Sequence, residues 1–162
     1  MILIIACGNS LRRDDGAGLV LAEKLEQLCR RYRLKAQCIA VQQLTPELAG
    51  IIAGAEVSDV VFVDAGIITR AGSKPEIRVQ QLSLGNASPS SGHHLDPEAL
   101  MIYACGLYDK KPRAWKVSVP GLDFDHGEGL SEISRQAIAE ASESVAAKML
   151  EFSVKICRPC KG

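Results

Sequence analysis

The chain of 162 residues balances 19 Lys and Arg against 19 Asp and Glu, for a formal net charge of zero with no basic block. That length suits a single domain with a substantial core, and the charge balance argues against nucleic acid or an anionic membrane as partner. No apolar run is long enough to span a bilayer, and the apolar start from Met1 to Ala6 has neither a basic leader nor a cleavage site, so it reads as buried strand. The six cysteines stand mostly among apolar neighbours, which fits free thiols in a cytoplasmic protein better than a disulfide framework.

Ile2 to Ala6 is apolar without alternation, as a strand buried on both faces of a parallel sheet requires. A polar loop follows from Cys7 to Gly18, with Asp14 and Asp15 side by side. From Ala17 to Tyr32 the apolar spacing becomes helical, with Leu21, Leu25, Leu28 and Tyr32 on one side and Asp15 where the N-cap is expected. Gln37 to Val41 predicts a second strand. Thr45 and Pro46 then predict the cap and first turn of a helix that buries Leu48, Ile51, Ile52 and Ala55.

Val57 to Asp64 returns to strand and stops at Ala65-Gly66, so Asp64 is expected at a strand's carboxyl end. Glu76 to Leu82 alternates, which suits an edge strand. A loop rich in Ser, Gly, Asn and Pro leads to His93 and His94. Asp96 and Pro97 then open a helix with Leu100, Ala104 and Leu107 buried. Ala114 to Val119 is the fifth strand. The loop that follows holds Asp123, Asp125, His126 and Glu128, and reads as a solvated turn, with a substrate-facing rim as the alternative. Ser131 caps a final helix that buries Ile138, Ala141, Val145, Met149 and Phe152.

The order predicts a three-layer α/β sandwich: a twisted, mostly parallel five-stranded sheet with helices on both faces. Residues 1–156 form its single domain and residues 157–162, with Cys157 and Cys160, a flexible tail. Right-handed crossovers bring the loops after the first and third strands to one rim. Asp15 with Asp14 beside it, Asp64, and His93 or His94 are expected to meet there.

Each of these residues taken alone has an ordinary structural role, as a cap or a loop anchor. Together they form two carboxylates and an imidazole, a set able to hold Ni, Zn, Fe, Co or Mn with a coordination position left open. Other chemistries lack their motifs: no Gly-x-Gly-x-x-Gly opens a dinucleotide site, and no Gly-x-Ser-x-Gly elbow presents a serine.

The stretch Gly8-Asn9-Ser10-Leu11-Arg12-Arg13-Asp14-Asp15-Gly16-Ala17-Gly18 resembles the opening signature of the NiFe-hydrogenase maturation endopeptidases. Phe62-Val63-Asp64-Ala65, Gly92-His93-His94-Leu95 and Gly129-Leu130-Ser131 resemble that family's later segments, in the same order. The resemblance implies a protease that removes a C-terminal peptide from the hydrogenase large-subunit precursor once nickel has been inserted. It also implies that the client's nickel is the recognition element, gripped by Asp15, Asp64 and His93. The enzyme itself is then metal-free when alone, and a monomer is expected.

Catalytic roles would fall to Asp15, Asp14 or Asp64. Where many members carry Asp-Gly-Gly after the second strand, this chain has Gln42 to Glu47, a variant resembling members that serve cytoplasmic, NAD-coupled bidirectional hydrogenases. Its first ligand is Asp where many members have Glu, and its Cys-x-x-Cys tail is outside the common pattern. Two alternatives stand beside this reading: a metal hydrolase that keeps its own ion, and a nickel-dependent binding module that does not cut.

Overall fold

A computed structural model describes residues 1–67, 76–83 and 95–154. Its sheet has the strand order β2-β1-β3-β5-β4, built from β1 (Ile2–Cys7), β2 (Ala36–Val41), β3 (Asp59–Ile67), β4 (Arg78–Gln81) and β5 (Arg113–Gly121). The β1, β2, β3 and β5 strands run parallel, and β4 joins β5 antiparallel at one edge. Between them lie a 3₁₀ turn (Arg13–Gly16), α1 (Ala17–Arg31), α2 (Leu48–Ile52), α3 (Pro97–Tyr108) and α4 (Glu132–Val154).

The unbroken apolar runs of β1 and β3 supply two cores because successive side chains face opposite sides of a strand. Ile4, Ala6, Val61 and Val63 pack with Leu21 and Leu25 of α1 and with Ile138 and Val145 of α4. Leu3, Ile5, Val60 and Phe62 pack with Leu48 and Ile52 of α2 and with Leu100, Met101 and Ala104 of α3. The three-layer sandwich with helices on both faces is what the element order predicted.

The differences are local. The α2 helix is a turn and a half, too short to sustain one face: Leu48, Ala49 and Ile52 are buried, whereas Ile51 and Ala55 are exposed. Glu47 precedes it without a side-chain cap, and Thr45 contributes its carbonyl to the Leu48 N–H (3.1 Å) rather than its hydroxyl. Leu107 is 70% exposed and Met101 takes the buried place on α3. Tyr32 ends α1 exposed, and Cys29 fills the core instead. On α4 Ile138, Val145 and Met149 are buried and Ala141 is partly so; Phe152 lies outside the residues whose side chains are described, as the tail 157–162 lies outside the described residues altogether.

One difference bears on function. The β3 strand runs to Ile67, three residues past Asp64, paired on that stretch with β5 alone. Its pairing with β1 stops at Ala6–Val63, one residue before Asp64. Asp64 therefore stands inside a strand, at the level of Cys7, the last residue of the neighbouring strand. Gly18 lets α1 seat against this point: a Cβ there would lie 2.9 Å from the Cys7 carbonyl oxygen and 3.0 Å from the Asp64 Cα. Both neighbours are backbone and neither can yield cheaply. Gly18→Ala is expected to destabilise the fold by about 1–3 kcal/mol through overpacking, read as a lower denaturation midpoint in urea; an unchanged midpoint would show that α1 does not press on the strand ends.

Candidate active site

The 3₁₀ turn at Arg13–Gly16 positions both acids of the opening motif. The loop that leads to it begins where Gly8, at φ +146°, swings the chain off the end of β1. Any Cβ at Gly8 would meet the Asp15 carbonyl oxygen at 2.0 Å, so only glycine allows the turn to fold back over the strand. The sequence predicts Asp15 as the cap of α1; in the structure Gly16 holds that place and no side chain caps the helix. The Asp15 side chain lines a cavity instead.

That cavity, about 330 Å³, opens at the carboxyl ends of β1 and β3, on the side of the sheet covered by α2 and α3. Ile5, Phe62, Leu44 and Leu95 give it an apolar lining. Its polar groups are Asp15, Asp64, Asp96, Cys7, Gln42, Gln43 and Lys116. Cys7 and Asp64 are two residues on from Ile5 and Phe62, so they share the cavity face of the sheet. Two of the three expected ligands, Asp15 and Asp64, thus line one space. His93 and His94 lie outside the described residues, and among the described residues no three His, Cys, Asp or Glu side chains cluster closely enough to hold an ion.

Burial pushes the Asp64 carboxyl above its ordinary value; the Ala65 N–H (2.7 Å) and Lys116 pull it down, and the Asp15 carboxylate pushes it up again. The Cys7 thiol, raised to about 11 by burial and by the same two carboxylates, stays protonated at neutral pH. A cation delivered between Asp15 and Asp64 would relieve both their mutual repulsion and the cost of burying Asp64.

Asp14 faces the other way. It is fully buried and does not line the cavity. One oxygen accepts the N–H groups of Leu122 (2.8 Å) and Asp123 (3.0 Å); the other accepts that of Ser131 (2.7 Å). Burial alone would raise its pKa, but the N–H groups of Asp123 and Leu122, with the hydroxyl and N–H of Ser131, bring it down to about 2. The neighbouring arginines complete the junction. Arg13 pairs with Asp123, Arg12 donates to the Phe124 carbonyl (3.2 Å), and the Arg13 N–H donates to the Gly127 carbonyl (3.0 Å). The segment from Leu122 to Ser131 is therefore bound to the opening motif through its backbone and Asp123, while Asp125, His126 and Glu128 stay exposed as in the solvated turn expected. Ser131 does cap α4, its hydroxyl receiving the Ser134 N–H at 3.4 Å.

Fold and site together define an α/β protein with an acidic cavity at the carboxyl rim of a parallel sheet. Solved structures similar to this one include hydrogenase maturation endopeptidases, in agreement with the motif resemblance. The [NiFe] hydrogenase maturation protease HycI from Thermococcus kodakarensis KOD1 is 26% identical over 90% of each chain, with a TM-score of 0.63. The hydrogenase maturating endopeptidase HybD from E. coli is 19% identical over 93% of each chain, with a TM-score of 0.64. The endopeptidase HycI from Escherichia coli is 18% identical over 91% of this chain and 90% of its own, with a TM-score of 0.61. No family model and no curated protein matches the sequence.

Asp14 carries a pH signature of its own. Its folded pKa lies below the ordinary 3.8, so its stabilisation is present above that value and is lost as the pH falls towards 2. The shift corresponds to about 2 kcal/mol. Asp14→Asn puts an amide donor against one of three donors already in place. It is expected to cost about 2–3 kcal/mol at pH 7, with the gap to the unmodified protein closing as urea unfolding is repeated from pH 5 down to pH 2.5. A gap independent of pH would mean that the carboxylate charge contributes nothing.

Proposed function

We propose that the protein is an endopeptidase that removes the C-terminal extension of an NiFe-hydrogenase large-subunit precursor after nickel insertion. The observation that carries this reading is the meeting of Asp15 and Asp64 at one cavity, on a fold shared with maturation proteases. The two carboxylates form an incomplete ligand set. His93, two residues upstream of the cavity-lining Leu95 in the chain, is the proposed third ligand. Nickel enters as part of the client: thiolates of the precursor hold it, and Asp15, Asp64 and His93 bind its open side. Precursor without nickel lacks the bridge and is left uncut.

Water then adds to the scissile carbonyl, the C–N bond breaks, and the proton taken from water passes to the leaving amine. Nickel at the client's peptide can polarise that carbonyl. Asp15 and Asp64 are the acids facing the reaction, and one of them takes the proton. Asp14, with both oxygens engaged by backbone N–H groups, keeps the rim in place. We place the enzyme in the cytoplasm as a monomer, in keeping with a client that is matured there. Among the described residues no helix is long and apolar enough to cross a membrane.

Incubation of the full chain with nickel-loaded precursor, followed by intact-mass measurement, tests the reading. The unmodified protein should release one C-terminal peptide from loaded precursor and none from metal-free precursor. Asp15→Ala, Asp64→Ala and His93→Ala should each lower the rate by at least about 100-fold while leaving the circular dichroism spectrum unchanged. Because Asp15 caps no helix, its replacement should not lower the melting temperature. Cutting of metal-free precursor at the same rate would remove nickel from the recognition step, and binding without any mass loss would make the chain a holding module.

A further inference from the structure

Lys116 is the only cation among the described residues that line the cavity. It sits in the middle of β5, opposite Phe62 on β3 and Gln80 on β4, on the face shared with Phe62 and Asp64. The residue is half-buried, and its charge acts on the Asp64 carboxylate. The other ionisable groups on the cavity wall are Asp15, Asp64, Asp96 and Cys7, whose thiol keeps its proton at neutral pH. Asp96 is engaged at the start of α3, where its Oδ1 accepts the Ala99 N–H at 2.7 Å. An ion bound by Asp15 and Asp64 would therefore share its wall with one positive side chain.

That charge separates two forms in which a metal can arrive. A bare divalent ion is drawn by both carboxylates and repelled by Lys116, and a half-buried setting screens the repulsion less than open water does. An ion held by two thiolates carries no net charge, so it meets no comparable repulsion. With a neutral residue at this position, two neighbouring carboxylates would be open to any dissolved divalent cation. We propose that Lys116 is a specificity-determining residue: it weakens the binding of bare divalent cations at Asp15 and Asp64, and so keeps the cavity free for an ion that brings its own thiolate ligands. The proposal rests on the endopeptidase reading for the identity of the client, but the effect on bare ions is measured without it.

The binding arm titrates the full chain with nickel chloride and with zinc chloride in a calorimeter. Lys116→Met and Lys116→Gln should each bind both ions at least about fivefold more tightly than the unmodified protein, and Lys116→Arg should stay within about twofold of it. A lysine with only a structural role would change stability without raising ion affinity. Equal or weaker binding by the neutral variants, or an equal gain in Lys116→Arg, overturns the proposal. The gain should vanish when either neutral variant is combined with Asp15→Asn/Asp64→Asn. A gain that survives there puts the ion outside this cavity and overturns the proposal as well.

The competition arm processes nickel-loaded precursor in rising free zinc, with each rate taken relative to the same variant without zinc. The zinc concentration that halves the rate should be at least about fivefold lower for Lys116→Met or Lys116→Gln than for the unmodified protein, and Lys116→Arg should restore it. Equal sensitivity to zinc overturns the claim that Lys116 keeps the cavity free for the client. Tighter ion binding by the neutral variants, with no cutting of loaded precursor by the unmodified protein, would instead leave the role of Lys116 towards ions standing and remove the protease reading.

Discussion

One buried carboxylate holds the working end of this protein together. Asp14 sits at zero exposure with three backbone N–H groups directed at it, two from the stretch that follows β5 and one from the start of α4. An ionised acid buried this deeply survives only when its lone pairs are taken by good donors. Here those donors come from residues more than 100 positions away in the chain. The result joins the loop after β1 to the loop after β5, across the one intervening strand, β3, and gives the cavity wall a fixed origin.

That junction also decides what the adjacent acid can do. In a 3₁₀ turn successive side chains project about 120° apart. With Asp14 turned into the protein, Asp15 is turned out, to the cavity. Gly8 and Gly18 complete the arrangement from the other side, one letting the turn fold over β1 and the other letting α1 approach the backbone of Asp64. Two neighbouring aspartates, identical in chemistry, are thereby divided into an anchor and a working group by the direction in which the backbone carries them.

Much of this was legible from the chain. The uninterrupted apolar runs of β1 and β3 could be nothing but strands covered on both faces, and the crossover rule then placed Asp15 and Asp64 on one rim. The pattern could not separate Asp14 from Asp15, because the donors that bury Asp14 belong to a segment whose acidic composition looks solvated. Nor could it foresee that Asp64 lies inside its strand, since β3 is carried on to Ile67 by pairing with β5 after its pairing with β1 has stopped. Lys116 went unnoticed although its signal was present: a charged residue between Trp115 and Val117, in a run otherwise fit for burial. Leu107 and Ile51 failed for a simpler reason, because a short helix pressed on a sheet by one narrow stripe leaves its flanking apolar residues outside.

The acidic cavity has a logic that reaches beyond any single side chain. Asp15 raises the cost of ionising Asp64, and burial raises it further, so the unliganded site stores electrostatic free energy that a cation would release. A complete cage would release it on meeting any free ion and would then need to surrender that ion to the client. Two carboxylates that do not close into a three-membered cluster among the described residues bind a bare ion less firmly and leave coordination positions for donors from elsewhere. An ion that arrives already held by thiolates supplies both the charge and the missing donors, so in the proposed reading the loaded client is favoured over its separate parts. In that reading selectivity comes from the number of ligands each partner lacks rather than from recognition of side chains.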